Sequence, residues 1–144
     1  MKPERKIRAF KHYFRDFINE IEEAAADKIF KVLDILKMNM RVSAKFVKAV
    51  GDGLFELRVE YESNIYRVFF IFDRGDVVIL FNGFQKKSQK TPQKELEKAK
   101  RIKKCFMSLC LLFALKNITI YLLKVLYNPV GIVLCTVFLL KIKV

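Results

Sequence analysis

The sequence has few of the residues on which common enzyme chemistries depend. Its 144 residues contain one histidine and no tryptophan, and none of the three cysteines lies before residue 105. We find no glycine-rich phosphate loop, no Ser-His-Asp set and no acidic pair at metal-ligand spacing. The spacings of Cys105, Cys110 and Cys135 match no common zinc or redox motif. We therefore predict neither a metal ion nor a cofactor.

Two further absences divide the chain. Residues 1–15 are charged throughout and have no apolar segment, so we predict no secretory signal and a cytoplasmic protein. Residues 1–104 contain 24 basic and 15 acidic side chains, whereas residues 105–144 contain four lysines, no acidic residue and 29 apolar residues. This change of composition predicts one domain over residues 1–104 and a hydrophobic tail over residues 105–144.

The tail allows three interpretations. Its longest uncharged run, residues 125–140, has 16 residues, fewer than the ~20 that span a bilayer, so no single span is clearly encoded. Membrane contact through a hairpin of residues 105–123 and 125–140 is one interpretation, if Lys116 reaches toward the interface. Translation past a frameshift in AT-rich DNA would also give this bias, and we favour it. A helix that covers the sheet of this protein or of a partner is the third.

Three strand-like runs lie in the middle of the chain. Residues 55–61 alternate apolar and charged side chains, the period of a half-buried strand, so Arg58 points away from the core. Residues 65–72 follow a short polar turn and carry Arg67 as their only charge. Residues 77–84 form an unbroken apolar run after a glycine-containing turn, which predicts a central strand.

Helices precede these strands. Apolar residues at spacings of three and four predict two helices from about His12 to Leu36, after a short edge strand over residues 6–10. Residues 39–53 have no sustained period. The predicted order is β-α-α-β-β-β-α, an α+β fold in which the helices pack on one face of a small antiparallel sheet.

A dense basic segment follows the last strand. Nine Lys or Arg residues and two Glu lie between Phe84 and Lys104, and Pro92 suits the first position of a helix capped by Thr91. This charge predicts an anionic partner and makes RNA the leading candidate. Helical spacing gives a stripe along which a phosphate backbone can run: Lys94, Lys98, Arg101 and Lys104.

RNA can be cut without a metal by its own 2′-hydroxyl. The protein must then align that oxygen with the phosphate, stabilise charge on the phosphoryl oxygens and assist proton transfer. Arginine binds two phosphate oxygens and stays protonated, so Arg58 and Arg67 are the first candidates for this stabilisation. The alternative is that both pair across the strands with Glu56 or Glu60 as solvated surface ions.

The segments FELRV, IYRVFFIF and VVILFNGFQKKSQKTP occur in this order before a lysine-rich helix. Over residues 6–104 the chain resembles the RelE/ParE toxin superfamily, and within it the phage-derived HigB-like branch. The resemblance implies a type II toxin, an endoribonuclease that cuts mRNA in the ribosomal A site and is neutralised by a cognate antitoxin protein. It also implies catalysis by a basic residue at the end of the last strand, Lys86 or Lys87, with Lys90 as a nearby RNA contact. A second catalytic lysine of RelE falls at Glu60, which leaves the general base open.

Other interpretations of these residues stay open. The chain could be a non-enzymatic binding protein, either a ParE-like inhibitor of DNA gyrase or an inactive toxin remnant, and the lysines after Phe84 an exposed segment without a ligand. We predict that Tyr61 and Tyr66 pack in the core rather than stack on bases. We assign His12 to a helix start and give it no catalytic role.

Overall fold

The computed structural model describes residues 4–39, 41–86 and 92–127. It divides the chain into two units, residues 1–104 and 105–144. The predicted α+β class is confirmed. Along the chain the elements are β1 (Lys6–Ala9), α1 (Tyr13–Glu20), α2 (Glu23–Met38), β2 (Val47–Gly51), β3 (Leu54–Tyr61), β4 (Asn64–Asp73), β5 (Val77–Lys86) and α3 (Gln93–Tyr127).

The five strands form one sheet in the order β1-β5-β4-β3-β2. Strands β2 to β5 pair antiparallel, as predicted, and β1 lies parallel to β5 at one edge. The turn between β4 and β5 contains Arg74 and Gly75 at φ of 52° and 82°. Glycine tolerates such a positive φ easily, which agrees with the turn predicted here.

Strand β2 is absent from the predicted order, which places no element between residues 39 and 53. It pairs with β3 at the other edge of the sheet, with an irregularity between Ala49 and Gly51. Five residues with one strand neighbour give too short an alternation for a period to be recognised. Pairing with β3 therefore decides its conformation, and that partner is not visible in the local sequence.

Helices α1 and α2 pack on one face of the sheet and enclose the main core. Alternate residues of β3, β4 and β5 point toward them. Tyr66 belongs to this core and Tyr61 packs against it, as predicted. The buried cluster is almost entirely apolar: Phe14, Phe17, Ala25, Ile29, Val32, Leu33, Leu36, Leu57, Val59, Tyr66, Val68, Phe70, Val78 and Leu80.

Gly83 allows α1 to lie close to β5. A Cβ atom at Gly83 would be 2.2 Å from Cδ1 and 2.7 Å from Cγ of Phe17. Since Phe17 is itself buried in the core, its ring has little room to move. We expect Gly83→Ala to lower the free energy of unfolding by about 1–3 kcal/mol, as measured by urea denaturation.

Gln85→Ala is the matched control for this variant. Gln85 lies on the same strand, and its exposed side chain donates a hydrogen bond to Oδ1 of Asn64 at 2.7 Å. Its loss should cost no more than about 0.5 kcal/mol. Equal losses for Gly83→Ala and Gln85→Ala would contradict the steric role of Gly83.

Helix α3 begins on the opposite face of the sheet. Because Gly83 faces α1, the adjacent Asn82 points the other way, and its Nδ2 donates to Oε2 of Glu95 in α3 at 3.2 Å. The predicted packing on a single face therefore applies to α1 and α2 only. The carbonyl of Pro92 accepts a hydrogen bond from the Glu95 amide at 3.0 Å, so Pro92 precedes the first helical residue and does not occupy it.

The first three turns of α3 are held against the sheet at both ends. Ala99 and Ile102 are buried. Lys103 donates through Nζ to the carbonyl of Asp52 in the turn between β2 and β3. Lys100 Nζ lies 3.4 Å from the carboxylate of the same aspartate. These contacts fix which side of α3 faces solvent.

From residue 107 to residue 123 the side chains of α3 are mostly apolar and all exposed. Among the described residues, one helical segment, Gln93–Leu123, is long and apolar enough to cross a membrane. Its 18-residue window has a mean hydropathy of 1.9, and none of that window is buried. The uncharged runs on either side of Lys116 are each too short to span a bilayer, so the sequence alone predicted no full span here. A single lysine does not end a helix, however, and α3 continues through Lys116.

Candidate functional site

The strand register places both predicted arginines side by side. Arg58 on β3 is directly opposite Arg67 on β4, which is opposite Phe84 on β5. Side chains of directly opposite residues lie on the same face of a sheet. This face also carries Asn82, two residues before Phe84, and is therefore the face on which α3 lies.

Lys86 occupies the next row of this face. It is opposite Ile65 on β4, which is opposite Glu60 on β3. Lys86 is half-buried at the end of β5. Lys87 and Lys90, the other two lysines predicted in this region, lie outside the described residues. The structure therefore brings Arg58, Arg67 and Lys86 to one face.

A buried carboxylate joins the two arginines. Oε1 of Glu56 lies 3.2 Å from Nε of Arg58 and 3.3 Å from Nε of Arg67. The side chain of Glu56 is 3% exposed and that of Arg67 is 7% exposed. The sequence left open the alternative that both arginines pair with Glu56 or Glu60 as solvated surface ions. The structure corrects this, because the central carboxylate and one arginine are buried.

Arg67 is a buried cation. Burial lowers its pKa, the Glu56 carboxylate raises it and the neighbouring Arg58 lowers it again. Within the described part of the chain, Nε and Nη1 of Arg67 are buried without a hydrogen-bond partner, so the contact with Glu56 is an ion pair by distance only. A buried charge of this kind depends on its partner for stability. Arg67 can therefore orient the Glu56 carboxylate and add positive charge to the site more readily than it can contact a ligand.

Arg58 is the accessible member of the pair. Its side chain is 30% exposed, and it lines a cavity of about 240 Å³ beside β3. Lys28 from α2, Lys45 from the loop before β2 and Glu60 line the same cavity. Three cations around one opening can hold a phosphate group. Neither Lys28 nor Lys45 was predicted, because only the packing of α2 and of the loop before β2 beside β3 brings them together with Arg58.

The predicted basic stripe on α3 is exposed along its whole length. Lys94, Lys98, Arg101 and Lys104 are all exposed. They lie on the side of the helix away from the buried Ala99. The stripe is thus available to a polyanion, whereas Lys100 and Lys103 contact Asp52.

The other side chains considered in the sequence analysis are Tyr61, Tyr66 and His12. Burial, followed by the charges of Glu22 and Glu62, raises the pKa of Tyr66. Burial, followed by the charges of Glu62 and Glu22 and a hydrogen bond with Glu62, raises the pKa of Tyr61. Neither tyrosine is poised to act as a base near neutral pH. His12 is exposed at the start of α1. In residues 4–39, 41–86 and 92–127 no cluster of His, Cys, Asp and Glu side chains could hold a metal ion.

Residues 16–104 match the family model described as "Phage derived protein Gp49-like (DUF891)". The match covers more than half of the chain, which therefore belongs to this phage-derived family, whose members have the RelE/ParE-like toxin fold. The HigB-like assignment stays a prediction. No curated protein matches the chain.

One similar solved structure is the crystal structure of an archaeal RelE-RelB complex from Pyrococcus horikoshii OT3. It is 16% identical in sequence and has a TM-score of 0.42. The similarity covers 58% of this chain and 93% of that chain.

Proposed function

We propose that the protein is the toxin of a type II toxin–antitoxin system and a metal-independent endoribonuclease that cuts mRNA on the ribosome. The observation that carries this proposal is the pair Arg58 and Arg67, held on one buried carboxylate on the face that also carries Lys86. Membership of the Gp49-like family supports the toxin class. The resemblance to the HigB-like branch supports the ribosome as the place of action and an antitoxin as the partner.

In the proposed reaction the 2′-oxygen of one nucleotide attacks the adjacent phosphorus. The bond from phosphorus to the 5′-oxygen of the next nucleotide breaks, which gives a 2′,3′-cyclic phosphate and a 5′-hydroxyl. Negative charge grows on the non-bridging oxygens as the new bond forms. The guanidinium of Arg58 donates hydrogen bonds to these oxygens, and the nearby charge of Arg67 stabilises them further.

Lys86 is the candidate for proton transfer. It lies one row from Arg58 and Arg67 on the same face of the sheet, and in this proposal its amine serves either the attacking or the leaving oxygen. Lys87 follows it directly in sequence.

The stripe on α3 supplies binding without sequence preference. Removing two of its charges in Lys94→Ala/Lys98→Ala should weaken binding to ribosomes at every salt concentration. It should also reduce the slope of log affinity against log salt by up to about 2. Co-sedimentation with ribosomes across a series of potassium chloride concentrations measures both quantities.

Lys100→Ala/Lys103→Ala is the matched control, because it removes the same charge from the side of α3 that contacts Asp52. This control should leave the salt slope near the wild-type value. Equal effects of the two double variants would mean that total charge, and not the exposed stripe, determines binding.

The function is tested by inducing the full chain in cells and mapping mRNA 5′ ends on translating ribosomes. Arg58→Ala is compared at equal abundance with Arg8→Ala, which removes an exposed arginine from β1. We expect cuts within codons for the wild type and Arg8→Ala, and none for Arg58→Ala. Coexpression of the antitoxin should restore growth.

Two other results would replace the proposal. Growth arrest with intact messages and DNA damage signalling would identify a gyrase inhibitor. Normal growth with intact messages would identify an inactive remnant.

A further inference from the structure

The second half of α3 exposes apolar side chains on every side. Eleven large hydrophobic residues between positions 107 and 123 are 41–68% exposed: Met107, Leu109, Leu111, Leu112, Phe113, Leu115, Ile118, Ile120, Tyr121, Leu122 and Leu123. Successive residues are about 100° apart around a helix. The run Leu111, Leu112 and Phe113 thus already covers most of its circumference. A helix that is hydrophobic all round belongs in a protein core or in a membrane.

Two other kinds of helix can be equally long and apolar, the core helix of a soluble protein and a signal sequence, and neither fits this segment. A core helix would be buried, yet none of the apolar window of α3 is buried. A signal sequence would lie near the N-terminus, whereas this helix follows the toxin-like domain. Docking on one partner surface would require an apolar stripe and a polar face, which this segment does not have.

We propose that residues 105–123 cross a lipid bilayer and anchor the toxin domain to the membrane. These 19 residues span roughly 28 Å at ~1.5 Å per residue, close to the ~30 Å hydrocarbon core. Lys116 is the one charge inside the segment. Its long side chain can extend toward the interface, although its depth weakens the insertion.

The flanking charges set the orientation. Six Lys or Arg residues and two Glu lie between residues 93 and 104, directly before the segment, and three lysines follow residue 123. Basic residues next to a span remain on the cytoplasmic side. Residues 1–104 are therefore cytoplasmic, where the basic stripe also meets the anionic lipid surface. The anchor is independent of the proposed nuclease activity.

The test is flotation of cell extracts containing the full chain on a density gradient, before and after washing with high salt and with alkaline carbonate. We expect the wild type to float with membranes after both washes. Flotation separates insertion from aggregation, because aggregates sediment. In a direct test, the full chain is synthesised in vitro in the presence of protein-free vesicles of phosphatidylglycerol and phosphatidylethanolamine. It should float with these vesicles as well.

Two variants at the same depth give opposite expected results. Leu115→Lys places a second charge beside Lys116 and should lower the carbonate-resistant fraction at least about tenfold. Lys116→Leu removes the only charge and should keep or raise that fraction. Both positions are exposed in the structure, so the fold of residues 1–104 should be unaffected.

Three results would overturn the proposal. The first is wild-type protein in the soluble fraction, alone or in a complex with another protein. The second is release by salt or carbonate, which would show surface adhesion without insertion. The third is an equal carbonate-resistant fraction for Leu115→Lys and Lys116→Leu.

Discussion

Replacing Arg58 with alanine is expected to lower the rate of mRNA cleavage by about 10²- to 10³-fold, the usual effect of removing one preorganised donor to a developing oxyanion. Arg58 is exposed enough to reach a phosphate, and its guanidinium is already oriented by Glu56. The domain should keep its stability, because the buried pair of Glu56 with Arg67 remains. Single-turnover cleavage of a message on stalled ribosomes measures the rate.

Arg58→Lys separates charge from geometry. Lysine keeps the positive charge but cannot donate two parallel hydrogen bonds to a phosphate, so an intermediate rate is expected. Arg8→Ala serves again as the control with an unchanged rate. If Arg58→Ala cleaved as fast as the wild type, Arg58 would be a surface ion of no catalytic consequence.

Replacing Glu56 with alanine is expected to have the largest effect on stability, a loss of about 3–5 kcal/mol. The side chain of Glu56 is 3% exposed and it pairs with both arginines. Its removal leaves Arg67 as a buried charge without the carboxylate that compensates it. Urea denaturation of the full chain in mild detergent measures the loss.

The double variant Glu56→Ala/Arg67→Met distinguishes charge burial from simple loss of packing. An apolar side chain in place of a buried ion often restores stability, so the double variant should recover most of what Glu56→Ala loses. Its cleavage rate should nevertheless stay low, because the second cation is gone. A loss below about 1 kcal/mol for Glu56→Ala would contradict the central role of this carboxylate.

Much of the sheet could be predicted from the sequence because its strands carry a strong local signal. The alternation in residues 55–61 assigns Arg58 to the face away from the main core, and the order of β3, β4 and β5 follows from two short turns. Strand β2 could not be predicted in the same way, since it depends on a neighbour and not on its own pattern.

Three of the predicted site residues, Arg58, Arg67 and Lys86, share one face of the sheet, but the burial of this arrangement could not be predicted. Alternation shows which face of the sheet Arg58 lies on, yet it does not show that a helix lies on that face. Glu56 consequently looked like a solvated surface charge, whereas it is the buried centre of the arrangement. Lys28 is a further residue that only tertiary packing brings beside Arg58.

The chemistry of the cut ends tests the proposed reaction most directly. A message carrying a single 2′-deoxynucleotide on the 5′ side of the scissile bond is compared with the all-ribose message on stalled ribosomes in the presence of the full chain. If the 2′-hydroxyl is the nucleophile, only the all-ribose message is cut, and its products carry a 2′,3′-cyclic phosphate and a 5′-hydroxyl. Cleavage of the deoxy-substituted message, or a 5′-phosphate at the new end, would contradict attack by the 2′-hydroxyl and the role proposed for Arg58.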